Sequence, residues 1–164
     1  MKGIFGTITV IAAVTIGACG GGGGGNQPPL TARYLQLISA VNAKNLSNTM
    51  SHYSTLYYND CSTWQDVQSG WQAIFNEPNY TLTLSDLDVT TEWTNNQTGT
   101  GHLEGTVTVT ENINGNITSE TWPISMPFRR EGSAWRLFGD QSCPAGAADA
   151  KRQLRSYFGA RQRQ

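Results

Sequence analysis

One predicted strand carries two side chains suited to proton transfer, those of His102 and Glu104. Residues two positions apart on a strand point to the same face, so the pair could form an acid–base couple or half of a metal site. The same face carries Thr106 and Thr108, whereas the opposite face is apolar. This polar setting favours the simpler interpretation, an exposed cross-strand pair without catalytic function.

A second candidate group, Tyr57, Tyr58 and Asp60, places two phenols and a carboxylate close together in the sequence. Such groups can move a proton when a fold positions them. The other histidine, His52, lies off the apolar stripe of its predicted helix, so we expect it at the surface. Neither it nor His102 belongs to a spacing typical of metal ligands, and nucleophile and nucleotide-binding motifs are absent from the sequence. The sequence therefore predicts no metal and no cofactor.

The N-terminal residues have the pattern of an export signal. Lys2 precedes the apolar run Ile4–Ile16. This run is shorter than the roughly 20 helical residues that cross the hydrocarbon core of a bilayer. Its length fits a secretory signal. The run Ile16-Gly17-Ala18-Cys19 resembles the lipobox of bacterial lipoproteins. The resemblance implies cleavage before Cys19 and a diacylglycerol joined to its sulfur. An ordinary cleaved signal, or a buried strand with an incidental cysteine, is the alternative.

The glycines Gly20–Gly25 favour the lipoprotein interpretation, because such a run makes a flexible tether and cannot pack in a core. Residues 1–18 are then the signal peptide and residues 19–29 the lipidated cysteine with its tether. No aspartate follows Cys19, and lipoproteins of this type usually reach the outer membrane. We therefore expect a lipid-anchored protein of the cell envelope, at the outer membrane and facing the periplasm.

Two further cysteines, Cys61 and Cys143, remain for the exported domain. An oxidising compartment permits a disulfide between them, which would constrain the unfolded chain and could stabilise the fold by roughly 4 kcal/mol. Two separate buried thiols are the alternative. We predict the disulfide.

Charge is distributed unevenly along the chain. Residues 30–143 contain five basic and eleven acidic residues, whereas residues 144–164 contain five basic residues and one acid. An acidic domain offers no basic face for phosphates, so we expect no nucleic-acid partner. We assign residues 30–143 to one domain and residues 144–164 to a basic C-terminal tail, which could be helical over 147–158.

Apolar residues at helical spacing predict three helices in the first half of the domain. The first covers about residues 30–43. Asn45 can cap the second, whose apolar positions are Leu46, Met50, Tyr53 and Tyr57. Ser62 and Gln65 match a capping box at the start of the third, which ends before Pro78.

From Tyr80 onward the apolar residues alternate, as in strands. The alternation slips at Ser85-Asp86, which predicts a β-bulge, and the inward residues after it are expected to be Leu87, Val89, Thr91 and Trp93. Asn114-Gly115 predicts a two-residue hairpin. A third strand would carry Trp122, Ile124, Met126 and Phe128 on one face, and a fourth would span Trp135–Phe138.

This order predicts an α+β fold, with three N-terminal helices packed on a curved, bulged antiparallel sheet of about four strands. The helical first half, the long bulged strands and the ending Phe128–Leu137, with its Gly-x-x-Trp-x-Leu pattern, resemble the nuclear transport factor 2-like superfamily. The resemblance implies a cone with a pocket between helices and sheet, and dimerisation through the outer sheet face. A helix-plus-meander fold of the cystatin kind is the alternative.

The superfamily includes isomerase-like and dehydratase-like enzymes, whose acid or base lies inside the cone. Here the inward strand positions are apolar, so we expect no catalysis and instead a domain that binds a small apolar ligand or a protein partner. The residues that could line its pocket are Tyr34, Tyr53, Tyr57, Trp71, Trp122, Met126 and Phe128. Three alternatives stay open: these residues only fill the core, the protein is an enzyme using Tyr57 or Asp60, or it is a structural envelope component.

Overall fold

The structure is a computed structural model and describes residues 30–143. The signal peptide, Cys19, the tether and the basic tail therefore lie outside the described residues. The helices are α1 (Leu30–Asn42), α2 (Leu46–Ser51) and α3 (Trp64–Asn76). The strands are β1 (Tyr58–Asn59), β2 (Ser62–Thr63), β3 (Tyr80–Asn95), β4 (Thr100–Ile113), β5 (Asn116–Glu131) and β6 (Ala134–Leu137). No helix within 30–143 is both long and apolar enough to span a membrane.

Strands β3, β4, β5 and β6 form one antiparallel sheet in sequence order, and β1 pairs with β2 in a separate small ribbon. The helices cover one face of the four-stranded sheet, as the α+β prediction required. The two-residue hairpin is confirmed, because Ile113 pairs with Asn116 and both Asn114 and Gly115 have positive φ. The ribbon β1–β2 was not predicted from the sequence.

Helix α1 lies across the sheet and buries one apolar side, which includes Leu30, Tyr34, Leu37 and Val41. Its last residue, Asn42, also covers the edge strand β3. The Asn42 amide donates to the Leu84 carbonyl oxygen and accepts from the Leu84 N–H, both at 2.8 Å. The Asn42 side chain thus forms hydrogen bonds with backbone groups of β3 that would otherwise be unpaired at the edge of the sheet.

Helix α2 is shorter than its apolar spacing predicted, since it ends at Ser51. The prediction that Tyr53 and Tyr57 belong to this helix is wrong. The chain instead joins the outer edge of β6: the Leu137 N–H donates to the His52 carbonyl oxygen and the Ser54 N–H to the Leu137 carbonyl oxygen, both at 2.8 Å. These long-range hydrogen bonds satisfy backbone groups that a longer helix would have paired internally.

The capping box of α3 lies one residue later than predicted. Thr63 is the cap, and Asp66 replaces the expected Gln65 as its reciprocal partner. The Asp66 carboxylate accepts from the Thr63 N–H at 3.0 Å, and the Thr63 hydroxyl oxygen accepts from the Asp66 N–H at 3.3 Å. Ser62 is instead paired with Asn59 in the ribbon.

Strand β3 breaks its pairing with β4 twice. The first break, between Ser85 and Asp88, is the predicted bulge, and the second lies between Val89 and Thr91. Because strand faces alternate with a period of two, one extra residue reverses every later side chain. The prediction that Thr91 and Trp93 face inward is therefore wrong: Trp93 pairs with His102 on the outer face.

Gly105 makes room for the bulged strand. A Cβ atom at this position would lie 2.0 Å from the backbone oxygen of Asp88. Any side chain here would push β3 away from β4, so the close approach of the two strands requires glycine.

The second break turns Glu92 toward α1. Its carboxylate accepts hydrogen bonds from the Leu30 N–H at 2.6 Å and the Thr31 N–H at 3.3 Å, and also binds the Thr31 hydroxyl. The first N–H groups of a helix have no partner within the helix, and a negative charge is favourable there. Glu92 thus holds the start of α1 on the sheet from 62 positions away in sequence.

The structure joins Cys61 and Cys143 in a disulfide, across 82 positions of sequence. The bond connects the ribbon just before α3 to the last described residue after β6. It therefore ties the helical half of the chain to the end of the sheet half.

Replacing Glu92 with alanine should lower the free energy of unfolding by about 1–2 kcal/mol, because α1 loses its only described cap. The measurement is urea denaturation followed by circular dichroism. Glu104→Ala is the matched control, since that carboxylate is 49% exposed and its ion pair with His102 should contribute under about 1 kcal/mol. Equal losses for both variants would contradict the role given to Glu92.

Candidate functional site

Six of the seven predicted pocket residues meet between helices and sheet, where they form the hydrophobic core or pack against it. Tyr34, Tyr53 and Phe128 are buried in the main hydrophobic core, and Tyr57, Trp71 and Met126 pack against it half-buried. The seventh, Trp122, stands apart, with 47% of its surface exposed. This part of the cone is closed by its own side chains.

The inner tyrosines form a small aromatic cluster around Tyr53. The Trp71 indole N–H donates to the Tyr53 hydroxyl at 3.3 Å, and the rings of Tyr53 and Tyr57 meet edge to face at 5.3 Å. Burial raises the pKa of Tyr53 to about 12. Burial, reinforced by Tyr53, also raises the pKa of Tyr34 and Tyr57. All three phenols are neutral at pH 7, so they can donate hydrogen bonds but cannot serve as bases.

His52 is buried, with 5% of its surface exposed, and the prediction of a surface position is wrong. The helical stripe placed it outside, but α2 ends before it and the chain turns inward to meet β6. Both ring nitrogens lack a hydrogen-bond partner among the described residues. Burial, and then the nearby charges of Arg33 and Arg136, lower its pKa to about 4.

The surroundings of His52 leave no room for solvent. Residues of α1, β5 and β6 close around the ring, and the space among them holds no water-sized volume. They are Arg33, Tyr34, Leu37, Phe128, Trp135 and Leu137. A substrate cannot reach this neutral imidazole without displacing these side chains.

A partly buried polar cluster that the sequence did not reveal links the loop after α2 to the sheet. The Ser54 hydroxyl, which is fully buried, donates to a Glu131 carboxylate oxygen, and the other oxygen of that carboxylate lies 3.3 Å from Arg136 Nε. Arg136 also donates to the Ser51 carbonyl oxygen. These residues come from two distant parts of the chain, around 51–54 and 131–136, so no local sequence motif predicts the cluster. Each charged group is paired, which is the arrangement of a structural tie.

The candidate Tyr57–Asp60 group lies at the β1–β2 ribbon. Asp60 is exposed in the turn, where its φ is +46°, and its carboxylate accepts from the Asn59 side-chain amide at 2.9 Å. The charge of Asp60 contributes to the raised pKa of Tyr57, after the larger effect of burial. Burial, the Tyr53 phenol and this carboxylate together raise the pKa of Tyr57, so its phenol stays protonated at neutral pH.

His102 and Glu104 lie together on the outer sheet face, with 3.0 Å between His102 Nε2 and a Glu104 oxygen. The Ser125 hydroxyl is 3.3 Å from the same nitrogen, and the Trp93 ring stacks on the imidazole with 6.1 Å between centroids. Within residues 30–143 no group of three or more histidine, cysteine or acidic residues could hold a metal ion. The pair belongs to an exposed polar face.

Trp122 lies on the inner face of β5, together with Ile124, Met126 and Phe128, because these positions alternate along one strand. The exposed fraction falls from 47% at Trp122 to 8% at Ile124 and 4% at Phe128. The helices thus leave Trp122 on β5 uncovered, whereas Val107 and Val109 on the adjacent strand β4 are buried, with 3% and 4% of their surfaces exposed. We call this uncovered inner surface around Trp122 the open end.

Comparison with solved structures identifies the fold. A ketosteroid isomerase-like protein from Erwinia carotovora atroseptica superposes with a TM-score of 0.56 at 9% identity, over 69% of this chain and 91% of that one. A nuclear transport factor 2-like protein of unknown function in nutrient uptake from Rhodospirillum rubrum gives 0.51 at 17% identity, over 67% and 93%. A conserved protein from Planctomyces limnophilus gives 0.58 at 8% identity, over 68% and 89%.

No protein-family model matches the chain, and no curated protein matches its sequence. At these identities the likeness concerns the fold alone. The helices packed on an antiparallel sheet therefore form the predicted nuclear transport factor 2-like cone.

Replacing Tyr53 with phenylalanine should cost about 1–2 kcal/mol at pH 7, because the Trp71 indole N–H loses its acceptor. Between pH 7 and pH 11 the free energy of unfolding of the variant should also fall by less than that of the wild type. In the wild type, stability falls as pH rises above 10, since the unfolded tyrosine ionises while the folded one does not until about pH 12. Urea denaturation at pH 7 and pH 11 measures both effects.

Tyr58→Phe is the control for this experiment, because no hydrogen bond of its hydroxyl is part of the inner cluster. An equal loss for both variants at pH 7, or an unchanged pH dependence for Tyr53→Phe, would contradict the cluster described above.

Proposed function

We propose that this chain is a non-catalytic binding protein of the cell envelope, and that its domain takes an apolar ligand or an apolar part of a protein partner at the open end. The observation that carries the proposal is Trp122: a large aromatic side chain, half exposed, on the face of the sheet that elsewhere forms the core. Tryptophan side chains are enriched at contact surfaces, because the ring is largely apolar and its N–H can still find a polar partner.

The surroundings of Trp122 fit an anchoring role. Its cross-strand partner Val107 and its strand neighbour Ile124 are buried, with 3% and 8% of their surfaces exposed, so the indole lies at the border of the covered apolar core. Its N–H donates to a Glu120 carboxylate oxygen at 3.1 Å, which holds the ring in one orientation. Tryptophan side chains held in this way at the edge of an apolar surface are frequent hot spots of binding.

The polar groups of the closed end support a role without catalysis. The three inner tyrosines are protonated at neutral pH and His52 is neutral with no water-sized space beside it. Acid–base catalysis needs a titrating group within hydrogen-bond reach of a substrate. At the open end the carboxylate beside Trp122, that of Glu120, is engaged by the indole.

We further propose that two copies associate through the outer sheet face. Trp93 is 49% exposed there and stacks on His102, beside rows of threonine on β3 and β4. A Trp93→Glu variant would then sediment as a monomer under conditions in which the wild type is a dimer.

We propose the location of the protein, anchored to a membrane by a lipid, from the sequence around Cys19. Metabolic labelling with an acyl-chain probe should mark the wild type and leave Cys19→Ser unmarked, because the thioether forms only on that sulfur. The labelled wild type should also sediment with membranes. An unlabelled wild type would contradict lipid anchoring while leaving the binding proposal intact.

Binding at the open end can be measured with the fluorescent apolar probe 1-anilinonaphthalene-8-sulfonate. Trp122→Ala should weaken probe binding about fivefold to tenfold, as the loss of a hot-spot aromatic side chain does. Leu35→Ala is the matched control, since its side chain is 49% exposed on α1 and lies outside both proposed contact surfaces. Equal binding by wild type and Trp122→Ala would contradict the proposed surface.

A further inference from the structure

One long edge of the sheet has no partner among the described residues. Strand β6 pairs with β5 only over residues 128–131, and a last hydrogen bond runs from the Phe138 N–H to the Pro127 carbonyl oxygen at 2.9 Å. The rest of β5, residues 116–126, pairs with β4 on one side and with no described strand on the other. Each residue from 116 to 123 is exposed.

The direction of the backbone groups along this edge follows from the hydrogen bonds at its end. In an antiparallel strand the N–H and C=O of one residue point to the same side, and those of the next residue point to the other side. The Arg130 N–H donates to the Gly99 carbonyl oxygen, in the turn before β4, so even-numbered residues of β5 face β4. Pro127 accepts from Phe138, so odd-numbered residues face outward. The pairing with β4 has no break, so this alternation holds along the strand.

The outward groups therefore form a regular row of donors and acceptors. The N–H groups belong to Ile117, Ser119, Thr121 and Ser125, and the same residues with Pro123 supply the carbonyl oxygens. Such a row, with a rise of about 3.4 Å per residue, matches the backbone of an extended peptide. Protein edges are commonly protected by lysine, proline or a bulge, and residues 117–121 contain none of these.

Trp122 and Glu120 lie beside this row on the inner face of β5. An added strand would form non-hydrogen-bonded pairs with the even-numbered residues, and in such pairs the opposing side chains are closest. An apolar side chain opposite Trp122 would contact the half-exposed indole. A basic side chain two positions farther along would meet the Glu120 carboxylate, and opposite charges in facing positions are favourable.

The charge of the domain favours a basic partner. Between Lys44 and Arg129 the sequence contains nine acidic residues and no lysine or arginine. Glu111 shares the inner face of β4 with Val109, and Val109 pairs with Glu120. A second copy of the chain would bring the same acids to this edge without a base, which is unfavourable. A basic segment is complementary to it.

We propose that β5 accepts an extended basic segment of a protein partner as an added antiparallel strand, paired with residues 117–123. An apolar side chain of the segment contacts Trp122, and a basic one meets Glu120. The antiparallel direction is that of β6, which lies on the same side of β5 farther along the strand. The inference rests on the proposed binding at the open end, and it names the chemistry of the partner and the backbone groups that hold it.

Amide hydrogen exchange followed by nuclear magnetic resonance on the full chain tests the proposal. The probe is the acetylated and amidated heptapeptide Thr-Leu-Thr-Lys-Thr-Lys-Thr, whose leucine lies opposite Trp122 when its first lysine lies opposite Glu120. In the free protein the N–H groups of Ser119 and Thr121 should exchange rapidly, and those of Glu120 and Trp122 slowly, because β4 protects only the even-numbered residues. Saturating peptide should slow exchange at Ser119 and Thr121 by about tenfold or more.

Two control peptides separate backbone pairing from charge. Methylation of the backbone nitrogens of the third and fifth residues removes the N–H groups that donate to β5, and it should abolish the slowing. Replacement of both lysines by glutamate should weaken binding about tenfold, because the charges then repel.

A pair of protein variants tests the same row of groups. Thr121→Pro removes one outward N–H, at an edge position equivalent to that of Pro123, and should weaken peptide binding about fivefold. Thr121→Ala keeps this N–H and should bind as the wild type does. Circular dichroism should show both variants folded.

Equal binding of the parent and the N-methylated peptides would overturn the proposal. So would slow exchange at Ser119 and Thr121 in the free protein, because another segment, or a second copy where dilution removes the protection, would then cover the edge. Trp122-dependent binding of 1-anilinonaphthalene-8-sulfonate without slowing by the peptide would overturn the added strand alone. Loss of both would contradict the proposed function as well.

Discussion

Two breaks in the alternation of β3 decide where the first helix lies on the sheet. Each extra residue exchanges the inner and outer faces of the strand, and the second break brings Glu92 inward, where its carboxylate binds the first N–H groups of α1. Gly105 on β4 permits the close approach that this bent strand requires. With α1 fixed at its start by Glu92 and at its end by Asn42, the helix lies over the sheet and buries the core.

This placement gives the cone a closed end and an open end. Near β6 the side chains of α1, β5 and the loop after α2 fill the interior and bury His52, while the Ser54–Glu131–Arg136 cluster holds that loop to the sheet. Near the β4–β5 hairpin no described helix covers Trp122. Folds of one architecture host many functions, and the difference lies in such local sites. For this chain we propose binding at an aromatic surface and not proton chemistry in a pocket.

Much of the architecture could be predicted from local patterns, because helical stripes, strand alternation and Asn114-Gly115 depend on residues near in sequence. The first bulge could be predicted because the alternation of apolar residues shifts by one position there. The second, around Thr90, lies among polar residues, so the apolar pattern does not show it. The end of α2 and the burial of His52 depend on β6, and the Ser54–Glu131 contact depends on the end of β5, all more than 75 positions away. The exposure of Trp122 depends on where the helices end. The alternation along β5 correctly predicted which face of the strand carries Trp122, but it could not predict that the helices leave this side chain uncovered.

The side chains around His52 leave no water-sized space, so the structure predicts an interior closed to solvent at this ring. Nuclear magnetic resonance titration of the two histidine rings tests it directly, with His52→Gln assigning the signals. The structure predicts that the His52 ring stays neutral until the pH falls to about 4, because burial and two arginines oppose its protonation. Protonation of His52 near pH 6.5, the ordinary value for a solvated histidine, would mean that water reaches the ring and would contradict the closed interior.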